Sequence, residues 1–211
     1  RDGKRLETRM IVRTGPDEDD YWMGAFVWRD DESDARFAPD GERDVRDTSH
    51  DVPQVKNCFT CHNGEGGRVL GFSAVQQPHA TAELLSDAPA TPFAAPGDAA
   101  VAAALGYLHA NCAHCHNPEG SARPDTDMNL RLSVADRTPE DTFAYQTTLG
   151  VALQYFDDTA LQLRVAPGEP DESGLLFRMT ERGPKTQMPP LATEVVDDEG
   201  VALLRAWIEA L

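Results

Sequence analysis

Two pentapeptides in this 211-residue chain share one spacing: Cys58-Phe59-Thr60-Cys61-His62 and Cys112-Ala113-His114-Cys115-His116. Together they use all four cysteines. Cys-x-x-Cys-His is the attachment pattern of a c-type haem. Two thiols about one turn apart add across the two vinyl groups of a porphyrin, and the histidine that follows offers a ring nitrogen to the iron. Other chemistries use the same residue types. Four cysteines could bind zinc, but a zinc site does not require a histidine after each second cysteine. Redox dithiols are expected to follow a strand and open a helix. Disulfides closing four-residue rings would add little loop-closure stability. The expectation is two covalently bound c-type haems, attached at Cys58, Cys61, Cys112 and Cys115, with His62 and His116 as proximal iron ligands.

The elements that must position these groups can be read around them. Glu7 to Arg13 and Tyr21 to Trp28 read as strands joined by the turn-rich Thr14 to Asp20, a β-hairpin or part of a small sheet. Residues 29–51, with the turn signal Pro39-Asp40-Gly41, read as loop with a short extended piece. After the first motif, Val69-Leu70-Gly71-Phe72 is a short apolar element suited to packing on a haem. Residues 86–97, rich in proline and alanine, read as a connector. Asp98 is an N-cap for a helix through Leu108 or so, whose alanines favour helix and let another helix approach. Asn117 to Asp127 reads as loop. A helix starts at Thr138-Pro139-Glu140-Asp141, with Phe143, Thr147, Gly150 and Val151 as its apolar positions. Ser173 to Thr180 reads as a short helix and Gly183 to Leu191 as a loop. Asp197 or Asp198 opens a terminal helix with Val201, Leu204, Trp207, Ile208 and Leu211 on one face.

These elements predict a mainly α chain with two parts. Residues 1–97 form a strand-containing segment plus a smaller first haem region, and residues 98–211 form a helical second haem domain. With 40% apolar and 7% aromatic residues the core is modest, and porphyrin faces would supply apolar surface. The formal charge of −17 argues against nucleic acid and acidic membranes as partners. It suits a redox partner with a basic docking surface, or serves solubility alone. No run of 18 apolar residues is present, so no membrane span is expected. The start at Arg1 without a methionine or visible leader fits a processed chain.

From residue 98 onward the chain resembles a class I c-type cytochrome. The resemblance implies that the helix entering Cys112 crosses the terminal helix. The crossing would pair Ala104 and Leu108, eight and four positions before Cys112, with Leu204 and Trp207. Tyr107 to Pro118, Met128-Asn129-Leu130-Arg131, Met188-Pro189-Pro190-Leu191, His50-Asp51-Val52-Pro53 and Val69 to Phe72 are similar to a group of secreted bacterial dihaem cytochromes. That resemblance implies periplasmic or extracellular residence. It makes Met188 the distal ligand of the second haem, with Met128 the runner-up and Met179 a core or surface residue. A proximal histidine would donate its other ring N–H to a backbone carbonyl, supplied to His116 from the loop 118–126.

The first haem's distal ligand stays open among His50, His79, a methionine from elsewhere such as Met10 or Met23, and no ligand. His50, eight residues before Cys58 and beside Val52-Pro53, leads and His79 is second. Two histidines on that iron would lower its potential below that of a His/Met centre. His109 is expected near a haem edge or propionate, with ligation of the neighbouring haem the rival, and His114 is expected to point away from the iron. Six-coordinate irons favour single-electron transfer between redox partners, with no catalytic residue. An open first site would instead suit a dihaem peroxidase-like enzyme. A third reading is the electron-receiving domain of a larger redox complex, in which residues 1–57 either dock a partner or cover the first haem.

Overall fold

A computed structural model of the chain describes residues 3–17, 19–64, 66–76, 93–154, 160–183 and 185–211. His79 and most of the expected connector lie outside the described residues. Strands β1 (Glu7–Arg13) and β2 (Tyr21–Trp28) have the bounds expected from their apolar patterning. They pair antiparallel from Glu7 opposite Val27 to Arg13 opposite Tyr21. A third strand, β3 (Ala35–Phe37), continues the sheet on the free edge of β2, with Phe37 opposite Phe26.

Strand alternation sorts the side chains onto two faces. Glu7, Arg9 and Ile11 share a face with Met23, Ala25 and Val27, and Ala25 and Val27 join Leu6, Ala38, Val45 and Val52 in a small core. On the other face Trp22, Phe26 and Phe37 cluster with ring centroids 5.5 to 6.2 Å apart. The Trp22 indole folds over Gly24, where a Cβ would come within 2.3 Å of the ring. Glycine is therefore what lets the indole lie flat on the strand.

Helix α1 (Cys58–His62) is the first pentapeptide itself, entered through a 3₁₀ turn at Val55–Asn57. Helix α2 (Ala99–Asn111) starts where Asp98 caps it, the carboxylate accepting from Ala100 N and Val101 N at 3.0 Å each. It leads into Cys112. Helix α5 (Asp198–Glu209) is capped by Asp197, which accepts from Gly200 N at 3.0 Å. α2 packs against α5. Ala104, Leu105 and Leu108 from one helix and Leu204, Trp207 and Ile208 from the other are at most 1% exposed, at the centre of the main core. At the edge of this contact Gly200 lies under the Tyr107 ring, 2.2 Å from its hydroxyl if a Cβ were added, and Tyr107 Oη donates to Asp197 at 2.8 Å.

The mainly α expectation is corrected. Among the described residues the chain has five α-helices and one three-stranded sheet, a small mixed α/β architecture. Two physical causes account for this. The N-terminal strands carry a core of their own. One expected helix is also shorter than its patterning suggests. The helix expected from Thr138 begins as a 3₁₀ turn at Pro139–Asp141, after which Thr142 caps afresh and α3 spans Phe143–Thr148. Gly150, at φ +65°, takes the chain out of it, so Gly150 and Val151 are not helical. Helix α4 (Gly174–Thr180) has a single pair of turns. No helix of the described residues is long and apolar enough to cross a membrane.

The α2–α5 contact carries the second motif. Leu108→Ala is therefore expected to cost about 3 kcal/mol, the usual penalty for a buried cavity. The shift of the urea midpoint measures it.

Candidate haem sites

The second motif is held by its own loop. Asn117, 2% exposed, donates from Nδ2 to the carbonyls of Ala113 at 2.7 Å and His114 at 3.1 Å, and accepts from Glu119 N at 2.9 Å. This keeps Cys112, Cys115 and His116 on one tight turn. Burial pushes the Cys112 thiol up to about 12 and the His116 imidazole down to about 4. His116 is therefore neutral, the form that donates to a metal. Its Nδ1 is buried with no hydrogen-bond partner among the described residues. The carbonyl expected from the loop 118–126 does not reach it. That loop turns back on Cys115, with Ala122 N donating to the Cys115 carbonyl at 3.2 Å.

His116 lines a cleft shared with Cys112, Cys115 and Met188. Met128 and Met179 line it too, but both pack into the main core. Met188 stands on a loop braced by its own bonds. Met188 N donates to Arg178 O at 2.8 Å, Gln187 Nε2 to Thr193 O at 3.0 Å, and Thr193 Oγ1 to Pro189 O at 2.8 Å. Of the three methionines it is the one outside the main core cluster. Two further residues, Arg178 and Arg182, line the same cleft. Sequence reading passed over them because an arginine on or just after a short helix carries no motif.

At the first motif, His62 Nδ1 donates to the carbonyl of Arg68 at 2.7 Å. Because a carbonyl only accepts, Nδ1 holds the proton and Nε2 keeps its lone pair, the arrangement a metal-binding histidine needs. Arg68 is also the anchor of this loop. Its guanidinium binds Asn63 O at 2.7 Å and pairs with Asp19 on the β1–β2 turn, and the guanidinium lies 6.0 Å from the Phe59 ring centroid. Phe59, Val69 and Phe72 are 41 to 48% exposed, leaving apolar surface around the motif. The donor sets, the Nδ1 bond of His62 and this apolar rim fit two c-type haems.

The two motifs meet. Ligand atoms of Cys61, His114 and Cys115 all lie within 4.8 Å of one another. Cys115 Sγ donates to Thr60 O at 3.2 Å, Ser121 Oγ donates to the same carbonyl at 2.6 Å, and Arg131 reaches Gly64 O at 2.8 Å. Cys61 and Cys115 share one hydrogen bond, which raises the Cys61 thiol and lowers that of Cys115, with His114 and Ser121 adding to the second effect. Cys58 and Cys112 stand outside this cluster, so the four cysteines do not converge as a tetrahedral zinc site requires.

The remaining histidines separate by their bonds. His109 Nδ1 accepts from Leu132 N at 3.1 Å, so its proton sits on Nε2, which faces Ser73 Oγ at 3.3 Å. That tautomer leaves no free lone pair for iron, and His109 instead ties α2 to the exit of the first motif. It borders a cleft of about 850 Å³ whose floor is the small face of α2, including Ala103, Gly106 and Ala110. The alanines therefore open a cleft on this side, while α5 approaches on the other. His50 Nε2 is buried without a hydrogen bond, 3.3 Å from Glu7 Oε1. Glu7 and Arg9, neighbours on one sheet face, both act electrostatically on the Cys58 thiol. Met23 is buried on that same sheet face, and Met10, 44% exposed, is on the opposite one. His114 joins the cysteine cluster.

Compared with family models, curated proteins and solved structures, the chain matches none.

Burial holds His109 down at about 4, with Arg131 adding to it. The unfolded chain takes up this proton near the ordinary histidine value of about 6.5 and the folded chain near 4. Stability is therefore full above that upper value and falls as pH drops toward 4. His109→Gln is expected to flatten this part of the stability profile, read as denaturation midpoint against pH.

Proposed function

We propose that the chain is a dihaem c-type electron carrier, passing single electrons between redox partners outside the cytoplasm. The observation that carries the reading is the meeting of Cys61, His114 and Cys115 within 4.8 Å, which sets the attachment points of two groups side by side. A c-type haem bound at each motif supplies a one-electron ferric/ferrous couple. The chain's own residues do the rest. Cys58 with Cys61, and Cys112 with Cys115, anchor the groups. His62 and His116 offer neutral imidazole nitrogens, one oriented by the Arg68 carbonyl and the other held neutral by burial. Met188, fixed by the 185–193 loop, is the second ligand of the second centre. His50, with its buried and unbonded Nε2, is the second ligand of the first.

The tight internal bonding of both motif loops supports carriage over catalysis. A centre that changes only its charge benefits from ligands that do not move, whereas a catalytic iron needs an open position and an acid or base above it. The formal charge of −17 favours a partner with a basic docking face. Residence outside the cytoplasm rests on the resemblance to secreted dihaem cytochromes.

The haem content of chain produced in a haem-attaching host tests the reading. The parent chain should carry two c-type haems, and the Cys58→Ala/Cys61→Ala and Cys112→Ala/Cys115→Ala variants one each. Potentiometry should resolve two separate midpoints, and Met188→Ala should remove the near-infrared methionine–iron band and lower one midpoint. A chain without covalent haem overturns the proposal. Rapid carbon monoxide binding at one reduced haem replaces the carrier reading by the peroxidase-like one.

A further inference from the structure

Cys61, His114 and Cys115 bring three metal-binding side chains together from two motifs. Among the described residues they are the one group of three or more histidine, cysteine or carboxylate donors whose ligand atoms all lie within 4.8 Å of one another. Cys61 and His114 both hydrogen-bond to Cys115. Two bonds outside the group hold its halves in register. Ser121 Oγ donates to Thr60 O at 2.6 Å, and Arg131 reaches Gly64 O at 2.8 Å, which fixes the segment carrying Cys61 beside the turn carrying His114 and Cys115. All three side chains are half-buried, so an ion can reach them from solvent.

The donor set selects the ion. Two thiolate sulfurs and one imidazole nitrogen suit a borderline-soft cation, and the two thiolate charges balance a divalent one. A four-cysteine site is excluded because Cys58 and Cys112 stand outside the group. Three protein donors with water in the fourth position are the other zinc pattern. Zinc held tetrahedrally at about 2.3 Å from sulfur and about 2.0 Å from nitrogen spaces its donors about 3.3 to 3.8 Å apart. Side chains already within 4.8 Å need to draw in by about 1 Å. We infer that Cys61, His114 and Cys115 form a zinc site of the chain whose cysteines are free thiols. Binding exchanges two S–H bonds for two S–Zn bonds and releases two protons, with no electron transferred. Haem attachment turns both sulfurs into uncharged thioethers, so the ion and the haems are alternative occupants of the same sulfurs. Until attachment the ion pins the two motifs together and keeps both sulfurs from oxidising to a disulfide. The inference goes beyond the functional reading and does not rest on it.

Zinc titration of the full chain, reduced and produced without haem attachment, tests this in competition with a chromophoric chelator. One zinc per chain is expected. Zinc should slow iodoacetamide alkylation of Cys61 and Cys115, mapped by peptide mass, and leave Cys58 and Cys112 at their zinc-free rates. His114→Ala should weaken binding at least about tenfold, since it removes one of three donors. Two zincs per chain with all four thiols protected, as chelation within each pentapeptide would give, overturn the site. So do a bound zinc that protects no thiol, an absence of binding, or an unchanged affinity in His114→Ala. Where that variant does not fold, the alkylation pattern of the parent chain decides. Covalent haem content is read on separately produced chain, so failure of the dihaem reading and failure of the zinc site are different results.

Discussion

The carbonyl of Thr60 is the contact on which the arrangement turns. It lies inside the first pentapeptide and accepts from Ser121 Oγ of the loop that follows the second, a bond that needs no thiol hydrogen, and from Cys115 Sγ while that thiol is free. The first motif region has no core large enough to orient it alone. The first is a five-residue helix, and the second is a turn at the end of α2. Bonded through Thr60, and again through Arg131 to Gly64, they share one orientation. The two motifs become a single junction between the sheet-bearing N-terminal part and the α2–α5 core.

Each side of that junction is braced differently. The second motif inherits its position from the main core, where α2 and α5 are in close contact and Gly200 allows Tyr107 to lie against the start of α5. The first has no helix pair behind it. Arg68 does the equivalent work, with its carbonyl on His62, its guanidinium on Asn63 and Asp19, and its chain held at φ +56°. The sheet and the first motif are thus linked by a charged contact where the second motif is linked by apolar packing. Removing the sheet would be felt at the first motif before the second.

Much of this was legible in the residues. The two strands and the caps of α2 and α5 follow from alternation and from Asp98 and Asp197, because local patterning and tertiary demand agree there. The tetrad Ala104, Leu108, Leu204 and Trp207 came from a family resemblance and is buried as that resemblance implies. The share of helix was overstated, since Thr142 and Gly150 act as local switches that a periodicity count does not weigh. At the sites, cysteine spacing gave the candidate attachment points but not their convergence, which depends on contacts between residues some 55 to 67 positions apart. The roles of His62, His109 and His50 depend on which ring nitrogen meets a carbonyl, an amide or nothing, and sequence carries no signal for that. Arg68, Arg178 and Arg182 lie outside any motif and were visible only once the fold placed them beside one.

The central claim is that the chain sets two c-type haems side by side at Cys61 and Cys115. Circular dichroism in the Soret region of the dihaem chain tests it most directly, because neighbouring porphyrins couple and isolated ones do not. A bisignate couplet that vanishes in either single-motif variant is the predicted result. A spectrum equal to the sum of the two single-motif variants would contradict the account.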